Sequence, residues 1–194
     1  MKLVEKFIGP TLIIVAAVGL RLVPHLPNFA PIGALALFGG AYIKNKYALL
    51  IIFGTLLVSD YLLLYINPFS SNPINFSQFH APWELVHSTI FFVYLSFLIN
   101  FLIGRWIATN KSLNRIVSGA LLSSVQFFVI TNFGVWLTGM YGIGLSGLIQ
   151  TYIMAIPFFR GTLFGDFFYI GLFFGGYELL LRWVKKPKLA VATG

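Results

Sequence analysis

Few side chains in this sequence can do chemistry, and most of those fall in a few places. The acids are Glu5, Asp60, Glu84, Asp166 and Glu178. Glu5 sits between Lys2 and Lys6, and Glu178 lies four residues before Arg182, the spacing of an ion pair on one helix face. Those two ask for no functional role. Asp60 differs, because it lies inside the apolar run Tyr47 to Ile66, ~9 Å below the run's end at 1.5 Å per helical residue. An ionisable group at that depth needs a partner, a hydrogen bond or a proton. Arg21 and Arg160 are the cations placed to pair with it, as a lock between helices or as part of a ligand site. Asp166, with Tyr169 three residues on, is open to three readings: a role near a helix cap, a pair with Arg160, or a ligand contact.

His80, Glu84 and His87 recur at i, i+4 and i+7, and two imidazoles with a carboxylate suit a divalent transition metal. Pro82 weakens that reading. It fits the first turn of a helix, leaving His80 at or beyond the cap and Glu84 simply favourable at the positive end of the dipole. The three are weak metal candidates, and no metal or other cofactor is expected. The chain has no cysteine, so disulfides and thiolate chemistry are excluded. Asn132 and Trp136 share a helix face, where Asn132 can hydrogen-bond a ligand or a neighbouring helix. Trp136, like Trp83 and Tyr141, also suits an interfacial belt. With no carboxylate pair, nucleophilic serine arrangement or strong metal motif, enzymatic chemistry is not expected.

The elements that hold these residues are apolar helices. The chain is 58% hydrophobic and only 9% charged, whereas soluble domains run near 25% charged. Lipid is the expected solvent, and a bilayer core takes ~20 apolar residues per helix. The expectation is an all-α, six-helix transmembrane bundle in one domain over 1–194, with spans at about 6–23, 31–43, 47–66, 83–104, 116–138 and 162–184. A short surface or re-entrant helix, Leu148 to Ile156 closed by Pro157, is expected between the last two. The N-terminus has the look of a signal peptide. It lacks a small-x-small site before Arg21, and Pro10 interrupts its apolar stretch, so the first helix is expected to be retained. With the N-terminus inside, eleven of the thirteen basic residues fall on the cytoplasmic side, and only Arg21 and Arg160 fall outside. Both termini are therefore expected in the cytoplasm. The net charge of +8 is then a topology signal and not a nucleic-acid signal.

Small residues four apart recur at Ala30/Ala34, Ala36/Gly40, Gly119/Ser123, Gly161/Gly165 and Gly171/Gly175, a spacing that permits close helix approach. The stretches Arg21 to Tyr42 (RLVPHLPNFAPIGALALFGGAY), Phe127 to Trp136 (FFVITNFGVW) and Ile156 to Asp166 (IPFFRGTLFGD) together resemble an uncharacterised family of bacterial multi-pass membrane proteins. That resemblance covers nearly the whole chain, brings no activity, and implies the inner membrane of a bacterium. In length, topology and external polar cluster the chain is also distantly similar to the substrate-binding S components of energy-coupling-factor (ECF) vitamin transporters. It departs from them in two ways. The first helix has Ala16 and Ala17 but no alanines four apart, and the chain begins Met-Lys, unlike the Met-His start of nickel and cobalt S components.

Two functional expectations follow. The first is a small-molecule uptake component for a vitamin-like or anionic metabolite, held by Arg21, His25, Asn28, Asp60, Asn132, Trp136, Arg160 and Asp166. With no nucleotide-binding loop, its partner would be a transporter energising module or other membrane subunits. The alternative is an accessory, structural subunit of a larger membrane complex.

Overall fold

The computed structural model describes residues 9–24, 26–44 and 47–185. Its helices are α1 (Gly9–Arg21), α2 (Ile32–Tyr42), α3 (Ala48–Tyr65), α4 (Ile90–Thr109), α5 (Leu113–Leu137) and α6 (Leu145–Lys185), with a 3₁₀ turn at Pro82–Leu85. Four of them, α3 to α6, are long and apolar enough to cross a bilayer. α2 has only 11 residues, hence ~16 Å of a ~30 Å bilayer core.

Local sequence explains the boundaries. A residue before proline is pushed out of the helical region, so α1 ends ahead of Pro24 and α2 begins only after Pro31. α5 opens on an N-cap, Ser112, whose hydroxyl accepts from the Arg115 N–H at 3.4 Å. The link from α5 to α6 turns on Gly139, Gly142 and Gly144, with φ of 75°, 91° and 101°, left-handed backbone that glycine adopts without a Cβ clash.

Side-chain contacts set the directions of the helices. Ser96 and Asn100 of α4 meet Gln126 of α5, and Ile107 meets Gly119, so those two helices are antiparallel. Gly33 of α2 meets Asp166 of α6, and Phe38 meets Phe173, Phe174 and Tyr177, so those two run parallel. α1, α3 and α5 therefore run one way and α2, α4 and α6 the other. Lys44, Lys111, Glu178 and Arg182 gather at one end, where Tyr42 joins them through Lys111 over its ring and its hydroxyl on Glu178. Arg21, Asp60 and the 3₁₀ turn lie at the other end.

α2 forms the core. It is apolar all round, the pattern of a helix covered on every side, and Gly33 through Tyr42 are all buried. Its tightest crossing is with α4: a Cβ on Gly40 would strike the Phe101 carbonyl, and one on Gly104 the Leu37 carbonyl. Of the small-residue pairs, Ala36/Gly40, Gly119/Ser123 and Gly161/Gly165 face into the bundle, while Gly171 and Gly175 face open space.

Three expectations need correction. Leu148 to Ile156 is not a separate surface or re-entrant helix, because α6 runs unbroken for 41 residues with Pro157 inside it. The proline forfeits one backbone hydrogen bond, but α6 is pinned to α5 on both sides of it. Tyr152 donates to the Val129 carbonyl at 2.7 Å, and Phe159 packs on Phe128 at 4.8 Å. Secondly, the fourth helix starts at Ile90 and not at Trp83. Thirdly, no ion pair joins Glu178 to Arg182; Glu178 accepts from the Tyr42 hydroxyl at 2.8 Å instead.

Candidate functional site

The shortness of α2 leaves a hollow. Because α2 starts level with the middle of α6, the space beyond its N-terminus is bordered by neighbouring helices, by Asn28 and Ala30 of the link before α2, and by the segment 84–87 before α4. A cavity of about 410 Å³ occupies it, within the range of small-molecule sites. Ala30, Ile32 and Gly33 bound it at the start of α2, Asp60, Leu63 and Leu64 on α3, and Tyr94, Phe97 and Asn100 on α4. Phe127 of α5, Thr162 and Asp166 of α6, and Arg21, Asn28, Glu84 and His87 also line it.

One wall is a charged cluster. Arg21 Nη1 contacts Asp60 Oδ1 at 2.5 Å and also donates to the Ser59 hydroxyl at 2.5 Å. The Tyr94 hydroxyl donates to Asp60 Oδ2 at 2.5 Å. Asp60 is thus paired, as its depth requires, and its partner is Arg21. The two side chains are 18% and 22% exposed, which leaves them in reach of the cavity.

The opposite wall carries Asp166, only 3% exposed. It lies well inside α6, neither at a cap nor paired with Arg160, which corrects both of those expectations. Ser124 of α5 donates to its Oδ2 at 2.7 Å. Gly33 is close enough that a Cβ there would lie 2.5 Å from Oδ1. The first turn of α2 therefore abuts the carboxylate, and its partial positive charge favours an anion. Tyr169, expected on the same face as Asp166, is buried in the aromatic core beside Phe173.

The remaining expected site residues divide. Asn28 has a left-handed φ of 57°, which asparagine tolerates better than most residues. Its turn, closed by Phe29 N–H on the Leu26 carbonyl at 2.9 Å, rests on α6, where a Cβ at Gly161 would meet the Pro27 carbonyl. Asn28 borders the main cavity and a second one of about 280 Å³ between α5 and α6. Asn132 borders that second cavity, with its Nδ2 committed to the Phe128 carbonyl at 2.8 Å. A third hollow, lined by Arg21, Asn28 and Phe69 among others, adjoins the main cavity, with which it shares Arg21, Asn28, Ala30 and Leu63. Trp136 borders none of the three, and its indole donates to the Gly144 carbonyl at 3.1 Å. Arg160 is exposed and borders none of them either. His25 lies outside the described residues.

The metal candidates do not assemble. The i, i+4, i+7 face needs one continuous α-helix, and the chain leaves the helical path between Leu85 and Ile90. His80 Nδ1 instead lies 2.7 Å from Glu84 Oε2, and Glu84 Oε1 accepts from the Ala81 N–H at 2.8 Å. His80 and that N–H hold the Glu84 carboxyl below the usual carboxylate range. His87 Nδ1 lies 3.1 Å from the Thr89 hydroxyl. Among the described residues no three His, Asp or Glu side chains could together hold an ion.

Sequence reasoning missed an amide cluster at the cavity floor. Gln126 Nε2 donates to Asn100 Oδ1 at 2.7 Å and to the Ser96 and Ser123 carbonyls at 3.1 and 3.2 Å. Buried inside, Asn100 Nδ2, Ser123 Oγ and Gln126 Oε1 have no protein partner. Amides in the middle of apolar helices were the signal that could have found them. Tyr94 was the other omission. No curated protein and no solved structure matches the chain. Residues 1–189 do match one family, so this chain, with its cavity above a truncated central helix, belongs to a family of unknown function (DUF6580).

Proposed function

We propose that the protein is a membrane-embedded component that captures a small molecule in the main cavity for uptake. The observation that carries this reading is a cavity of about 410 Å³ whose polar lining outstrips what the protein itself satisfies: Asn100 at its floor is fully buried with an unpartnered amide. Polar groups at membrane depth are costly and commonly face a cavity or a partner. The alternating helix directions and the basic end opposite the cavity support six crossings with both termini cytoplasmic and the cavity on the outer side. The distant similarity to S components of ECF transporters agrees with that arrangement, and the apolar helices together with the resemblance to a bacterial membrane family support a bacterial inner membrane as its location. An energising partner would then dock on the exposed helix faces.

A two-arginine clamp for an anionic ligand finds little support, since Arg21 is engaged by Asp60 and Arg160 lies elsewhere. The test is a screen of metabolites of every charge class for thermal stabilisation of the purified protein. A ligand at about a hundred times its Kd adds ~2.7 kcal/mol, a rise of ~5–11 °C in Tm for a chain of this size. Leu64→Trp, which pushes a larger side chain into the cavity, should diminish the rise. The absence of any stabilising ligand would refute the reading.

The second reading, an accessory subunit, is favoured by Gly171, Gly175 and Gly176 of α6, where an added Cβ would meet nothing. Isolation of a stoichiometric complex that forms without any small molecule would favour it over the first.

A further inference from the structure

We infer that the cavity grips its ligand by a nitrogen-bearing edge, one that offers a hydrogen-bond donor to Asp166 beside an acceptor for Asn100. A primary amide or an amino-substituted heteroaromatic ring has such an edge. This inference rests on the reading of the cavity as a ligand site and adds the chemistry of what fills it.

The amide network fixes which atom of Asn100 is free. Gln126 faces the Ser96 and Ser123 carbonyls, which only accept, so its donor nitrogen must point at them. The Asn100 atom that meets the same nitrogen at 2.7 Å must then be its oxygen. That leaves Nδ2, a donor, without a protein partner, on a side chain with no exposure that borders the cavity. A buried donor left unmade is expensive, so an acceptor belongs opposite it.

Asp166 supplies the complementary half. Its Oδ2 accepts from Ser124, while no ion pair reaches it among the described residues. A carboxyl keeps acceptor capacity in either protonation state, and one hydroxyl does not exhaust it. Ser123 lies beside it as well, outside hydrogen-bond geometry.

The charges around the cavity exclude the opposite polarity. An anion would meet Asp60, Glu84 and Asp166 against one arginine that Asp60 already holds. An alkali cation would suit Asp166 but would face the Asn100 N–H groups, which repel it. The apolar walls include Tyr94, Phe97 and Phe127, suited to the faces of a flat ring.

The experiment is equilibrium binding to the full chain in lipid nanodiscs. Nicotinamide, cytosine and adenine carry the proposed edge; benzoate and sodium ion are the contrasts. At least one of the three should bind, and Asp166→Asn and Asn100→Leu should each weaken it about tenfold or more, the scale of one lost charge-assisted or buried hydrogen bond. Trp136→Phe, remote from the cavities, should leave the affinity unchanged. If Asp166→Asn does not fold, Ser124→Ala keeps the carboxylate and should still alter the affinity of the same ligand. Binding untouched by these substitutions would overturn the inference. So would preferential binding of benzoate, sodium stabilisation that depends on Asp166, or failure of all three probes while some other ligand binds the cavity. The last three outcomes leave the cavity reading standing, whereas failure of every ligand class would remove both.

Discussion

Breaking the Arg21–Asp60 pair should cost far more when one partner is removed than when both are. In the intact protein Asp60 takes Arg21 on one oxygen and the Tyr94 hydroxyl on the other, while Arg21 also holds Ser59. Asp60→Ala leaves an arginine with only a serine hydroxyl, and a tyrosine hydroxyl with no acceptor. Removing one member of a buried pair costs ~3–5 kcal/mol, and an exposed pair is worth only ~0–1 kcal/mol. With both side chains about one-fifth exposed, the lower end applies: ~3 kcal/mol for Asp60→Ala and a little less for Arg21→Ala. At 2–4 °C per kcal/mol for a chain of this length, each should lower Tm by ~6–12 °C. The double variant Arg21→Met/Asp60→Leu fills similar volume without charge and should lose only ~1 kcal/mol, because apolar replacement of a whole buried pair is often close to neutral. With Asp60→Leu and Arg21→Met as the single variants of the cycle, and losses like those above, the coupling would exceed ~2 kcal/mol. Thermal unfolding of the four proteins in one detergent measures it. Additive losses, with coupling below ~0.5 kcal/mol, would show that the contact does not hold α1 to α3.

Other perturbations test separate parts of the account. Gly104→Ala should lower stability by ~1–3 kcal/mol, since its methyl would run into the Leu37 carbonyl and force α2 from α4, whereas Gly171→Ala, in open space, should be neutral in the same melt. Gln126→Leu strips a donor from three acceptors on α4 and α5 and should cost ~1–2 kcal/mol, read as a drop in Tm. The His80–Glu84 contact gives a pH dependence of known sign. Because the folded state holds the Glu84 carboxyl below its usual value, its stabilisation is present above the ordinary glutamate range and is lost as pH falls through the depressed value. Glu84→Gln should flatten that acid limb of Tm against pH, and an unchanged limb would show that the contact contributes nothing.

The sequence was most readable where a single local rule decided the outcome. The apolar runs placed α2, α3 and α5 within three residues at either end, and the depth of Asp60 demanded a partner, which proved to be Arg21. It was least readable where tertiary contacts overrode a local signal. Pro157 reads as a helix end, but Tyr152 and Phe159 anchor the helix to α5 on both sides of it. Conversely, the spacing of His80, Glu84 and His87 implies one face only if the helix is continuous, and residues 86–89 break it. Arg160 was grouped with the site by its side of the bundle alone, which says nothing of the direction it faces. Asn100 and Gln126 went unnoticed because each is a lone amide in an apolar stretch. Only the pairing of α4 with α5 makes them a network.

The most direct measurement of the central claim is ligand binding compared between the wild-type chain and Leu64→Trp in nanodiscs. A ligand held above α2 should bind the wild type saturably and the variant at least about tenfold more weakly, with both proteins equally folded. Equal binding by the two would contradict it, since the ligand would then sit somewhere other than the hollow above α2.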